Sequence, residues 1–394
     1  MAFITVLLVT LATLSAVPSY ILLGQVLSSL GFRSRSDESD GLVPRYALLI
    51  PAHDEEAGIV ATLTTAAEQL TPGNRILVVA DNCTDDTAGV ARGFGASVVE
   101  RSDTTLRGKS YALDFGIRAL RDDPPDVVII LDADCLIGPQ TLAKIASLAN
   151  RSGRPVQASY EMSPPTNAGP RDRIAAFAWR VRNWSRPLGM QRLGFPCQLM
   201  GSGMAFPWTL ISSVQLATGH LAEDMQLGLE LCRLGHAPVF CPSVTVYSRF
   251  PDDSDGARVQ KTRWEHGHLA MITGTLPSLF MRSVSAHNFD LAIMALDICV
   301  PPLTLQVLLS FGVMLAILPI AILTHHFASL MIAASGLASL GVAVAAAWLA
   351  HGRNIVSPKD LLRAIGYVAW KVPVYLKLLS SRQIEWIRTK RDVG

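Results

Sequence analysis

Charge is what this chain is short of. Only 17% of its 394 residues are Asp, Glu, Lys or Arg, while 50% are hydrophobic. That balance is too apolar for an ordinary soluble enzyme and calls for membrane segments. Two stretches hold no charged residue at all, Met1 to Phe32 and Ile298 to Gly352. The first exceeds the ~20 residues a helix needs to span a bilayer. No basic residue precedes its apolar core, so it reads as a retained helix and not a cleaved signal peptide. The second is long enough for two spans joined near Thr324-His325-His326.

Other absences narrow the classes further. The net charge is only +2 and the middle of the chain has no Lys/Arg run, so nucleic acid is excluded as a partner. The six cysteines contain no C-x-x-C pair and read as reduced thiols of a cytoplasmic protein. Glycosylation triplets at Asn82, Asn150 and Asn183 would then be accidental. There is no G-x-G-x-x-G dinucleotide fingerprint, no internal repeat and no low-complexity tract.

Flanking charge sets the orientation. Arg33 and Arg35 follow the first span, and a series from Arg353 to Arg391 follows the last. Three spans put both segments, and everything between the first and second spans, on the cytoplasmic side. The expected protein is a multi-pass inner-membrane protein with these parts: a spanning helix in 1–32, a polar linker at 33–44 and a cytoplasmic domain at 45–285. Two membrane helices in 286–352 and a basic amphipathic, interfacial segment at 353–394 complete it. Trp370, Tyr375 and Trp386 lie among the basic residues of that last segment.

Within 45–285 the apolar runs Tyr46–Ile50, Arg75–Ala80, Ser97–Glu100 and Asp126–Leu131 read as strands. Helical patterns at 56–70, 84–94, 108–121 and 139–150 alternate with them, the last with Pro139 in its first turn. This alternation predicts an α/β domain with a mostly parallel sheet covered by helices on both faces. Further on, Pro155–Met162 reads as a strand and Arg171–Trp184 as an amphipathic helix. Gln198–Phe206 is a strand-like run broken by Gly201-Ser202-Gly203, Glu223–Leu234 a helix closed by Gly235, and Gly256–Leu269 a helix.

In an open α/β sheet ligands bind beyond the carboxyl ends of the strands. Here those ends carry Pro51-Ala52-His53-Asp54-Glu55-Glu56, Asp81-Asn82 and Asp132-Ala133-Asp134. Any one acid could simply cap the next helix. Three acidic ends in succession, one of them a D-x-D, favour a site. Strand alternation turns Asp132 and Asp134 to one side, where they can hold a hard divalent cation that bridges a diphosphate.

Asp103 to Ser110 (D-T-T-L-R-G-K-S) narrowly misses a P-loop, and its leading carboxylate would oppose a phosphate. Gly108, with Arg107 and Lys109, still opens a helix that can meet an anion. Glu223-Asp224 begins a helix, where acids are favoured by the dipole whether or not one serves as a base. In Gln260-Lys261-Thr262-Arg263-Trp264, Arg263 suits a phosphate and Trp264 suits stacking, although an ordinary helix face reads the same. His266 and His268 could ligate a metal, yet such histidines are more often interior polar groups.

The motifs P-A-H-D-E-E, V-V-A-D-N-C-T-D-D-T-A, R-G-K-S-Y-A-L, L-D-A-D, G-S-G-M, A-E-D-M and Q-K-T-R-W occur in this order across about residues 45 to 285. Together they resemble the inverting transferases of glycosyltransferase family 2, among them membrane-anchored polysaccharide synthases and lipid glucosyltransferases. The resemblance implies a GT-A fold, Mg2+ or Mn2+, and a UDP-sugar donor. It implies that Glu55 and Asp81 contact the uridine, with Lys109 and Asp132 near the nucleotide and Asp134 a direct metal ligand. Asp224 matches the general base, and Gln260, Arg263 and Trp264 match the residues that hold the diphosphate and close the acceptor site. Gly201, Ser202, Gly203 and Glu223 fall on the acceptor side.

Two departures stand out: Asp54 precedes Glu55 where the family often has Asn, and Lys261 follows Gln260. The implied activity is transfer of one or a few sugars to a lipid-linked or glycan acceptor, for exopolysaccharide or glycolipid assembly among membrane lipids. A processive synthase that also exports its polymer is the alternative; its pore would be easier to build with more helices or from an oligomer. A non-catalytic scaffold would have lost a key acid, and none is lost.

Overall fold

The computed structural model describes residues 2–32, 43–165, 167–220, 222–250 and 254–380. It divides into two compact units. One comprises 43–163 and 195–264; the other comprises 2–32, 164–194 and 265–380. The sequence reading ran a single domain from 45 to 285, whereas the compact α/β unit leaves out 164–194 and 265–285.

The α/β unit is built on eight strands: β1 (Tyr46–Ala52), β2 (Arg75–Asp81), β3 (Ser97–Arg101), β4 (Val127–Ile130), β5 (Leu136–Ile137), β6 (Val156–Ser163), β7 (Met204–Pro207) and β8 (Val239–Arg249). Their order in the sheet is β3-β2-β1-β4-β7-β6-β8-β5. The first four are parallel, β7 runs antiparallel to β4 and β6, β8 is parallel to β6, and β5 is antiparallel to β8. The sheet is thus mostly parallel.

Leu48, Leu49 and Ile50, Val78 and Val79, and Val127 to Leu131 are completely buried, because helices cover the sheet. Ala112, Leu113 and Ile117 of the helix Lys109–Ala119 pack with Leu49, Val79, Val128 and Ile130. Each such large side chain contributes about 2 kcal/mol on burial. The chain passes from β1 outward to β2 and β3, then returns to β4 on the other side of β1. The acids after β1, β2 and β4 therefore gather at one edge, at the point where the strand order reverses.

Several elements differ from expectation. Within Gln198–Phe206 only the end becomes strand, as β7; Gly201 and Gly203 adopt φ of +91 and +68 and turn the chain. β8 escaped the pattern because Pro242 interrupts it. Its register against β6 jumps there, from Ala158↔Cys241 to Ser159↔Thr245. The helix expected from Pro139 starts at Thr141 instead, after Gln140 in the left-handed region at φ +58. The amphipathic helix after Arg171 spans Pro170–Arg180, then opens into a π turn, Val181–Ser185, before Arg186–Arg192.

Among the described residues, the second unit contains three helices long and apolar enough to cross a membrane, Phe3–Ser29, Leu303–Thr324 and Ala328–Gly352. A Cβ at Gly336 would lie 2.6 Å from Ala16 Cβ, so only glycine lets these helices approach so closely. Asp297 accepts hydrogen bonds from Arg186 (2.8 Å) and Gln25 (2.7 Å), and Arg186 Nε donates to Gln25 Oε1 (3.0 Å). All three are buried, so the geometry gives Asp297 a tethering role.

His268 is bonded at Nε2 to the carbonyl of Ile298 (3.0 Å), and burial pushes its pKa down to about 3. Neither it nor His266 belongs to a metal-like cluster among the described residues. The helix Pro358–Ser380 is anchored by Arg173–Asp360 (2.9 Å) and Lys371–Glu265 (2.5 Å) pairs. Most of the expected linker (33–42), residues 381–394 with Trp386, and the side chains of Trp370 and Gln260 lie outside the described residues.

Candidate active site

At the end of β4, Lys109 bonds Asp132 Oδ1 and donates to the carbonyl of Gly201 (2.6 Å). The backbone N–H of Asp132 in turn donates to Ser202 Oγ (3.0 Å). A Cβ placed on Gly201 would lie 3.4 Å from Asp224 Oδ2 and 3.7 Å from Lys109 Nζ. One glycine therefore brings together residues from β4, from the start of the Lys109 helix, from the turn before β7 and from the start of the helix Glu223–Arg233. Glycine suits this turn because the backbone is left-handed, at φ +91.

Electrostatics agree with this convergence. Burial works against the Lys109 ammonium, but Asp132, Glu223 and Asp224 outweigh it and hold its pKa above the ordinary lysine value. Burial, then the Asp224 charge, pushes the Glu223 carboxyl up to about 7, against the pull of Lys109 and Arg263. Arg263 is thus close enough to act on Glu223, and Trp264 follows it on the same helix.

The donor atoms of Asp132, Asp134 and Cys135 lie within 4.8 Å of one another. Ser248 Oγ donates to Asp134 Oδ2 (3.4 Å). Burial, then the Asp132 charge, pushes the Cys135 thiol up to about 12, and it keeps its proton. Two carboxylates beside a neutral thiol suit a hard cation that takes oxygen ligands, such as Mg2+ or Mn2+. The sequence-derived D-x-D therefore fits a metal through Asp132 and Asp134.

Asp81 and Glu55 lie at the neighbouring strand ends. Glu55 is fixed by its backbone N–H, which donates to Thr87 Oγ1 (2.8 Å). Asp54 is explained by its conformation: at φ +51 it accepts from the backbone N–H of Thr84 (2.6 Å), tying the β1 exit to the β2 exit. Asp81 is paired with Arg101 (2.7 Å), which the sequence reading missed. Arg101 also donates to the carbonyl of Leu106 (2.6 Å) and lies 5.7 Å from the centre of the Tyr111 ring. Its signal is its place as the last residue of β3, at a strand end like the acids.

That loop is not a phosphate cradle. Asp103 Oδ1 accepts from the N–H groups of Leu106 (2.9 Å) and Thr105 (2.9 Å), which lowers its pKa to about 2. The carboxylate occupies the donors that a phosphate would need.

Comparison with known proteins follows the same line. Residues 44–267 match the family model described as "Glycosyltransferase like family 2". A probable glycosyltransferase of Bacillus subtilis, YdaM, is 25% identical over 276 residues, 63% of this chain and 61% of that protein. The 4,4'-diaponeurosporenoate glycosyltransferase of Staphylococcus aureus is 40% identical over 73 residues, 18% of this chain and 19% of its own length. The chain thus spans about three fifths of the first curated relative and one fifth of the second.

Among solved structures, the mannosyltransferase PcManGT of Pyrobaculum calidifontis, in complex with GDP-Man and Mn2+, superposes with a TM-score of 0.55 at 18% identity. That likeness covers 86% of this chain and 97% of PcManGT. The architecture is the GT-A fold. Because the family match takes in more than half of the chain and every strand of the sheet, this protein belongs to glycosyltransferase-like family 2.

Proposed function

We propose that the protein moves a sugar from a nucleotide sugar, a UDP-sugar in the first instance, to a hydroxyl of a lipid-linked or glycan acceptor, with inversion at the anomeric carbon. The reaction would take place at the cytoplasmic face of the inner membrane and serve exopolysaccharide or glycolipid assembly. The observation that carries this reading is the meeting of Asp224, Lys109 and Asp132 around Gly201.

Inverting transfer needs a base on the acceptor side and positive charge on the leaving-group side. Asp224 would take the acceptor proton as the oxygen attacks, a contribution of about 10²–10⁴-fold. Lys109 and Arg263 would face the departing nucleotide diphosphate and offset its charge. Asp132 and Asp134 would hold a divalent cation, whose positive charge would add to that of Lys109 and Arg263 on the leaving-group side. Glu55 and Asp81 would meet the base of the nucleotide, Trp264 and Gln260 the diphosphate and acceptor, and Gly201, Ser202, Gly203 and Glu223 the acceptor rim.

The test is nucleotide release by the purified chain in lipid. It uses UDP- and GDP-sugars, with Mn2+, Mg2+ or EDTA, and with or without membrane lipid extract. The reading expects release that depends on metal and rises with the extract. It expects Asp224→Asn to abolish transfer while nucleotide affinity is kept. No turnover with any donor sinks the reading; a ladder of long products would replace single transfer with a processive synthase.

A further inference from the structure

Gln157 is a polar residue with no exposure, the second residue of β6, between Val156 and Ala158, which are equally buried. A primary amide in such a place is costly unless its groups are bonded. Here they are. Its Oε1 accepts from the backbone N–H of Met200 (2.7 Å), and its Nε2 donates to the carbonyls of Ser202 (2.8 Å) and Ala158 (2.8 Å).

The two distant partners are not arbitrary points in the loop. Met200 and Ser202 stand on either side of Gly201, the residue whose carbonyl receives Lys109 Nζ and whose Cα faces Asp224. Gln157 lies opposite Met204 in the β6–β7 pairing, so its backbone belongs to the sheet. The amide is therefore a strut from the rigid sheet to both flanks of a left-handed turn. The same turn supplies Ser202 Oγ to the backbone N–H of Asp132 (3.0 Å). A shift of the turn would move the lysine and the start of the D-x-D together.

We propose that Gln157 is a positioning residue for sugar transfer: by holding both peptide groups around Gly201, it sets the place of the Lys109 ammonium between Asp132 and Asp224. The proposal rests on the reading of those three residues as the transfer site. It assigns Gln157 no contact with substrate. A buried glutamine that served only the core would have no reason to span the two flanks of that one glycine.

The experiment compares Gln157→Met, which keeps bulk and removes the bonds, with Gln157→Glu, which keeps shape but offers an ionised group no donors for two carbonyls. Ser159→Ala on the same strand is the control, since Ser159 is buried and its hydroxyl has no hydrogen-bond partner. All are made in the full chain in lipid. The first readout, amide hydrogen exchange of the segment 198–203, does not depend on activity. Exchange there should rise at least about tenfold in both Gln157 variants and stay unchanged in Ser159→Ala.

The second readout is a split between parameters. The kcat should fall by about 10–10²-fold, as expected for a displacement of roughly 1 Å, while UDP affinity in Mn2+, to which Lys109 and Asp132 contribute, falls by less than kcat and the melting temperature is unchanged. In a Lys109→Met background the added loss from Gln157→Met should be smaller than in the parent, because part of it acts through the Lys109 ammonium.

Unchanged exchange and kcat in a folded Gln157→Met overturn the proposal. So does a joint collapse of exchange, affinity and melting, or the failure of both Gln157 variants to fold; either would assign the residue to the core. If the parent chain transfers no sugar from any donor, the functional reading fails, while the exchange experiment still reports on the strut.

Discussion

Gly201 and Gly73 share a backbone conformation and differ in what surrounds them. Their φ values are +91 and +88, a region that L side chains rarely adopt. Alanine at either position should cost about 1–3 kcal/mol in backbone strain. At Gly73 the added Cβ meets nothing within 4 Å, whereas at Gly201 it lies 3.4 Å from Asp224 Oδ2 and 3.7 Å from Lys109 Nζ. Gly73 also precedes β2, at the amino end of a strand whose carboxyl end carries Asp81.

The two alanine variants should therefore lose similar stability, roughly 2–12 °C in Tm at about 2–4 °C per kcal/mol for a unit of this size. Their activities should separate. The methyl group of Gly201→Ala lies in contact with the proposed base and the lysine, and relief of strain moves the turn. A displacement on the order of 1 Å is enough for a loss of about 10²-fold in kcat. Gly73→Ala should keep its kcat within about twofold. The assay is thermal melting and sugar transfer on both proteins side by side. Equal activity losses, or full activity in Gly201→Ala, would refute the idea that Gly201 is where the site converges.

Three further outcomes are expected. Lys109→Met removes the cation that offsets Asp132, Glu223 and Asp224; Mn2+ affinity measured by calorimetry without nucleotide should rise, while kcat falls by about 10²-fold or more. Because burial and the Asp224 charge hold the Glu223 carboxyl above the ordinary glutamate range, transfer should increase as pH rises through its ionisation, whose charge would strengthen the proposed base Asp224. In Glu223→Gln that inflection should disappear from the pH–rate profile. Arg101→Ala strands the buried Asp81 carboxylate at a cost of about 3–5 kcal/mol, read as a lower Tm; adding Asp81→Asn should recover much of it.

The strand ends were readable in the sequence because an apolar run that stops on an acid is a local pattern. Asp81, Asp132 and Asp134 announce themselves in this way, and β1, β2 and β4 place them along one edge. Glu223 and Asp224 were visible as the first turn of a helix, but their approach to Lys109 comes from a turn with two left-handed glycines, whose path no periodicity specifies. β8 was hidden by Pro242, and β5 is two residues long, too short for any alternation to show. The assignment of 164–194 to the membrane-helix unit was hidden as well. Its helix has the amphipathic pattern of a surface helix on the sheet, and the partners that claim it, such as Gln25 and Asp297, are more than a hundred residues away from Arg186.

Gln157 marks the limit of such reading most clearly. In the sequence it is one of four polar residues, with Ser159, Glu161 and Ser163, that alternate with apolar ones along β6, which pattern rules treat as an outward-facing row. Its bonds run to Met200 and Ser202, 43 and 45 residues away, and they exist only because β7 is inserted between β4 and β6. The motif residues can be found one by one because each sits in a local pattern of its own, at a strand end or a helix start. The residues that hold them in place answer only to geometry, so they become visible when the sheet order is known. A polar atom that is fully buried, fully bonded and bonded on both sides of a site residue is the physical trace they leave.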